Sequence, residues 1–417
     1  AQSSAEPSYG FQGGAATSLG QGATTAQHRE LSEAARKRGS VLVIAATFCF
    51  WLSLYFYVPF LPLRAVELGA TNTVVGAVVA AYAIAQVSLR VPIGVAADVL
   101  GKRKPFAVAA LFFSAAGALW LGLSPNPISL FFARAVTGIA GAGWVAISVL
   151  YSSYFAREQT AGAMARIMAV NSTGLVLATL TGGFLADALD TTSTFWASVT
   201  VGMIGGVLLL AAPEPAVGAG KSYSRETFMA IAKTPLLIAV SVMAIFLQFV
   251  NFSTQFGFVP VYAESIGATN SQVGYITTAM FASGVAGTLL GRQLVKRTGY
   301  TAALVIGSVL LAVSSLTPPM TESVMTLGAT QVLAGLARGG LMSMQITLSV
   351  LAVAPEQRAT AMGLFQAIYA IGMLAGPVVS GVVADTLGVP AVFYVSTAVA
   401  LAGGLIVFSR SMREARI

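Results

Sequence analysis

Gly94–Lys104 reads GVAADVLGKRK. The stretch closes a long apolar run. Gly94 and Asp98, four residues apart, share one helix face; Gly101 stops the helix, and Lys102, Arg103, Lys104 and Pro105 follow. A carboxylate at a helix C-terminus opposes the negative end of the helix dipole, and a charge without a partner is costlier still at the edge of a hydrocarbon layer. Asp98 therefore calls for a cation or the positive N-terminus of another helix. The alternative is a solvated helix-end carboxylate beside an ordinary basic loop.

The rest of the chain decides between them. Its 417 residues are 56% hydrophobic and only 9% charged, with a mean hydropathy of +0.80. Soluble domains carry about 25% charged residues, so the sequence reads as an all-α, polytopic membrane protein. Forty-three glycines suit close helix packing in lipid. Cys49, the single cysteine, excludes an internal disulfide. Twelve apolar stretches are long enough to span a bilayer: 40–62, 73–98, 105–123, 127–154, 162–188, 194–212, 235–259, 271–295, 300–317, 323–352, 359–385 and 389–409. Residues 1–39 read as a disordered cytoplasmic tail, in which Gln27–Arg38 has the composition of a short surface helix. Residues 213–234 form a cytoplasmic linker between an N-terminal bundle, 40–212, and a C-terminal one, 235–417.

The net charge of +8 is placed by topology rather than by nucleic acid. Arg90, Arg134 and Arg338 lie inside spans and Arg64 lies in the first loop; the other Lys and Arg residues occupy the tail, the even-numbered loops, one set of span ends and the C-terminus. This imbalance puts both termini and the linker in the cytoplasm of a cell inner (plasma) membrane protein. The halves also repeat. Leu61–Asn72, LPLRAVELGATN, matches Val259–Asn270, VPVYAESIGATN, and the same shift of 198 positions pairs Gly76 with Gly274, Gly101 with Gly299, Gly183 with Gly381 and Asp187 with Asp385. Two pseudo-symmetric six-helix bundles follow, with a solute site between them near mid-membrane.

A GxxxDxxG pattern followed by basic residues, joining two spans of the first half, resembles the loop between helices 2 and 3 of the major facilitator superfamily. The likeness covers about 40–410. It implies a conformational latch formed by Gly94, Asp98, Gly101, Lys102 and Arg103, engaging helix 11 in the outward-open state. Arg134, in RAVTGIAGAG, resembles the helix-4 arginine of drug:proton antiporters, the multidrug efflux-like branch. Span 11 keeps the glycine face of those antiporters, with Gly376, Pro377 and Gly381; span 5 keeps Gly182 and Gly183 but has Ala178 and Thr179 where Gly-Pro is expected. Close helix contact suffices as a role for these residues.

The remaining candidates come from polarity at depth. An intramembrane ionisable residue is a functional-site hypothesis by default, which selects Arg134, Arg338 and Arg90. Arg90 lies near a span end, from which it is expected to snorkel; Arg338 is central and cannot. No acid occupies the centre of any span, a balance that favours an anionic solute. Tyr55, Gln86, Asn251, Gln255 and Gln345 are the polar groups expected to line the cavity. HExxH, GxSxG and Walker-type patterns are absent, which argues against an enzyme or an ATP-driven pump, and no metal site or cofactor is expected.

The reading is a monomeric secondary transporter moving a small organic solute by alternating access, with efflux by proton antiport. The alternative is an organic-anion carrier that uses the intramembrane arginines. Two predictions follow from the sequence. Asp98→Asn should impair transport while leaving the protein folded; normal transport in proteoliposomes would remove the latch. Cysteines placed singly at Arg64, Lys102, Arg225 and Arg413 in a Cys49→Ser background should react with an impermeant maleimide from outside at position 64 alone. Labelling of 225 from outside would overturn the topology.

Overall fold

The computed structural model describes residues 31–215, 225–354 and 357–414; for a few residues within them, Asp98, Arg225 and Arg413 among these, it describes the backbone alone. Every regular element among the described residues is helical. The long helices are α1 (Glu33–Tyr55), α2 (Asn72–Leu100), α3 (Lys104–Leu123), α4 (Pro127–Ala142, continued by Trp144–Ser152), α5 (Thr160–Ala188), α6 (Thr191–Leu210), α7 (Pro235–Ser253), α8 and α9 (together Asn270–Leu316), α10 (Val324–Leu351), α11 (Arg358–Leu387) and α12 (Val389–Leu405).

Among the described residues, ten helices are long and apolar enough to cross a membrane. One of them, Asn270–Leu316, has 47 residues and turns at Gly299, where φ is +79°, so it serves as α8 over 270–298 and α9 over 300–316. The α10 helix has spanning length, 28 residues, but Gln331 and Arg338 dilute its apolar run. Ten candidate spans thus stand against the twelve expected stretches, with the turn at Gly299 and the diluted α10 accounting for the difference.

Local signals set the boundaries. Asn126, Asp190 and Ser323 each accept a hydrogen bond from the backbone N–H three residues on, starting α4, α6 and α10. Thr269 and Gln272 form a reciprocal capping box at α8. Gly101, at φ +60°, ends α2 as Gly299 ends α8, so the pairing of these glycines in the repeat is matched in backbone geometry. Ser32 caps α1. Glu33–Arg38, assigned to the tail from sequence, are therefore the first turns of α1: the cap and the helix-favouring run EAARKR outweigh their polarity. His28 and 216–224 lie outside the described residues.

The packing divides as the repeat predicts. One apolar core sits among α1, α3, α4 and α6, another among α7, α9, α10 and α12. A third is shared between halves, with Tyr57, Val75, Val79 and Tyr82 against Phe252, Phe256, Phe281 and Met373. Large apolar residues such as Phe132, Phe184 and Leu405 face outward, where lipid rather than water covers them.

The halves meet along two crossings, α2 on α11 and α5 on α8. The contact is tight at one end only. A Cβ on Gly76 would lie 2.1 Å from the Pro377 carbonyl oxygen, and one on Gly274 would lie 2.6 Å from Gly183 Cα. At the other end of the α2–α11 crossing, a Cβ on Gly94 or Gly363 would meet nothing within 4 Å. Close backbone contact along this crossing is thus found at the Asn72 end and not beside Gly94 or Gly363.

The basic loop after Gly94 is anchored within its own half. Glu214 Oε1 accepts from the backbone N–H groups of Arg103 and Lys104 at 2.6 and 2.9 Å, and Lys104 Nζ donates to the Leu210 carbonyl at 2.7 Å. A carboxylate on the N-terminus of α3 is favoured by the helix dipole. Glu214→Ala should cost about 1 kcal/mol, the usual worth of a cap. A thermal melt of the purified protein checks this; an unchanged midpoint would show the cap to be idle.

Candidate functional site

Two arginines approach the shared core from opposite halves. Arg134, on α4, is 5% exposed. Its Nη1 donates to Tyr57 Oη at 3.1 Å and Thr137 Oγ1 at 3.3 Å. Its guanidinium lies 4.6 Å from the Tyr82 ring centre and 5.7 Å from that of Tyr57. Gln86, one turn along α2 from Tyr82, donates to Tyr82 Oη at 3.1 Å. Arg134, Tyr57, Tyr82 and Gln86 are therefore one cluster, with the guanidinium close to two aromatic rings.

Arg338, on α10, is less well provided for. Its Nη1 points at Met280 Sδ at 3.2 Å, a weak acceptor, and its guanidinium lies 5.4 Å from the Phe281 ring centre. It lines a small cavity with Asn251, Gln255, Gln331 and Phe393. Gln255 lies in a π-helical turn, Thr254–Phe258, that continues α7, a local geometry common at functional sites. Both of its amide atoms are buried without a hydrogen-bond partner. Asn251 reaches only Gln248, at 3.5 Å.

Tyr55 links the two clusters. Its ring packs edge-on against Phe281 at 5.6 Å and Phe256 at 6.3 Å, and tilted against Trp51 at 5.8 Å, within electrostatic reach of both arginines. Among the described residues no carboxylate forms an ion pair with either arginine; the ion pair found there is Arg64–Glu67, at the helix ends.

Two candidates fall elsewhere. Gln345 lines a separate small cavity inside the C-terminal half with Met243, Phe246, Leu341 and Gly403. Its position on α10 turns it toward α7 and α12, away from the cavity that Arg338 lines. Arg90 does not snorkel: its Nη1 donates to Gln366 Oε1 of α11, across the gap between halves. The Asp98 side chain, on which the latch turns, lies outside the described residues. Gly182 packs on the Phe56 carbonyl and Gly376 on that of Phe249, each within its own half, whereas Gly183, Pro377 and Gly381 stand at the crossings between halves. Sequence reasoning missed Met280, Phe281 and Phe256 because apolar residues give no signal of facing a charge.

The sequence matches the Major Facilitator Superfamily over residues 43–257 and 241–416. The chain belongs to that family. It is 24% identical over 385 residues to an uncharacterized MFS-type transporter of Methanocaldococcus jannaschii, covering 88% of this chain and 96% of the relative. It is 25% identical over 369 residues to the multi-drug resistance efflux pump PmrA of Streptococcus pneumoniae, covering 83% and 89%. In fold it resembles a crystal structure of a bacterial homologue of the human lysosomal transporter Spinster, in an inward-facing and occupied conformation, with a TM-score of 0.76 at 16% identity over 91% of this chain and 97% of that one. The protein is thus a multi-pass membrane transporter, of the secondary kind and not an enzyme, that binds small-molecule substrates.

The Arg134 platform gives a direct check. Tyr82→Phe keeps the ring and should leave the fold intact. Tyr82→Leu removes it and should destabilise the protein by about 2 kcal/mol, the upper range for a desolvated cation–π contact. Equal thermal midpoints for the two variants would contradict this arrangement.

Proposed function

We propose that the chain exports amphipathic organic anions by alternating access across the plasma membrane, as a monomer with both termini in the cytoplasm. The observation that carries this reading is Arg338. An arginine at mid-membrane costs at least about 2.5 kcal/mol. A single cation–π contact returns about 0.5–2 kcal/mol, and a thioether adds little. Arg134 has two rings and two hydroxyl acceptors, so the protein compensates more of its charge than of Arg338's, although its Nε is buried without a partner. Arg338, beside the unpaired Gln255 amide, is left to a ligand's negative group, while Tyr55, Phe256 and Phe281 offer apolar contact to the rest of the molecule. Efflux as the direction is supported by the multi-drug relatives.

Proton antiport of neutral or cationic drugs is the second reading, favoured by the same relatives and by the helix-4 arginine. It lacks a mid-membrane acid in this sequence, since Asp98, Asp187 and Asp385 all stand at span ends. Arg338→Lys and Arg338→Gln separate the two. The anion reading predicts well-folded variants in which binding of aromatic carboxylates falls roughly tenfold or more for Gln, the loss of one charge-assisted contact, and is partly kept by Lys. Unchanged carboxylate binding in both variants, or binding of cations alone by the parent protein, would overturn it.

A further inference from the structure

The two crossings between halves are one arrangement built twice. Under the 198-residue shift, Gly76 corresponds to Gly274, Pro377 to Thr179, Gly381 to Gly183 and Asp385 to Asp187. In the structure Gly76 meets Pro377 and Gly381, and Gly274 meets Thr179 and Gly183. Each crossing ends on its carboxylate. Asp385, at the C-terminal end of α11, accepts from the backbone N–H groups of Asn72 and Thr73 at 2.9 and 2.8 Å and from Thr73 Oγ1 at 2.6 Å. Asp187, at the C-terminal end of α5, stands beside Thr269, Asn270 and Ser271 at the start of α8.

These contacts are more than helix capping. The α8 N-terminus already has its own capping box from Thr269 and Gln272, and Thr71 Oγ1 accepts from Val74 N at the start of α2. The carboxylates come from the opposite half and are added to helix ends that have local caps. Each is also misplaced on its own helix, where it faces the negative end of the dipole. The positive N-terminus of the facing helix offsets that cost while the halves touch at that end. A charge whose protein partner belongs to a moving body favours one state over another.

We propose that Asp187 and Asp385 are a matched pair of clasps that hold the Asn72 end closed and are released when that end opens. Close backbone contact is missing beside Gly94 and Gly363 in this same state, so the clasped state is assigned to opening toward the basic loops. This goes beyond solute binding, and its test needs no substrate, so it stands or falls apart from the anion reading.

The test uses full-length Cys49→Ser protein spin-labelled at Ile128→Cys and Met325→Cys. These positions lie at the Asn72 end, one in each half, 70% and 87% exposed. The parent should give mainly a short inter-label distance. Asp187→Asn and Asp385→Asn should each raise the ratio of long to short distances roughly tenfold, as expected for losing one charge-assisted contact. The double variant should shift further, and Asp385→Glu should recover part of the short population. A purely structural role predicts lower thermal stability with unchanged distances. That result in the double variant overturns the proposal. Should an Asn variant aggregate, Thr73→Val removes only the hydroxyl donor to Asp385; a smaller shift in the same direction supports the clasp, and an unmoved distribution overturns it.

Discussion

Backbone-to-backbone contact through glycine is the constraint on which this structure depends. Lipid is as apolar as leucine, so the two halves gain little from burying apolar surface against each other. They need close packing and hydrogen bonds instead, and both require that the Cβ be absent where helices cross. Gly76, Gly183, Gly274 and Gly381 provide this at one end of the molecule. There the backbones come near enough for Ser271 Oγ to donate to the Gly183 carbonyl at 3.2 Å and for Thr179 and Thr278 to pair through their hydroxyls at 2.8 Å. A side chain at any of these positions would hold the halves apart and lengthen every bond that joins them.

The central chemistry follows from the same scarcity of water. A guanidinium in hydrocarbon must find aromatic faces, hydroxyls, water or a ligand. The N-terminal half meets this demand for Arg134 with its own Tyr57, Tyr82 and Thr137. The C-terminal half leaves Arg338 beside a thioether and an amide with no partner. The halves share a scaffold yet differ at the site, and the proposed anion-binding role of Arg338 rests on this difference.

Much of this was legible in the sequence because a duplicated chain writes its geometry twice. The register of 198 residues locates Gly101 and Gly299, both found at positive φ, and pairs Asp187 with Asp385 before any contact is known. What Asp385 touches was not legible, because its partners include backbone N–H groups in the opposite half. Depth alone placed Gln345 at the solute site, but hydropathy does not distinguish the helix face turned to the other half from the face turned inward. Arg90 reaches Gln366 rather than the membrane surface, since the two become neighbours only once α2 and α11 cross. Glu214 escaped notice because a linker carboxylate next to prolines reads as a solvated loop.

The central claim is that the halves rock about the site, with the Asn72 end closing and opening in each cycle. The Thr179–Thr278 contact spans the two halves at hydroxyl distance, so Thr179→Cys/Thr278→Cys in a Cys49→Ser background should oxidise to a disulfide bridge. The decisive measurement is counterflow of an aromatic carboxylate in proteoliposomes containing this protein, first oxidised and then reduced. The account predicts that exchange stops when the bridge forms and returns when it is reduced. Full-rate exchange by the bridged protein would contradict it.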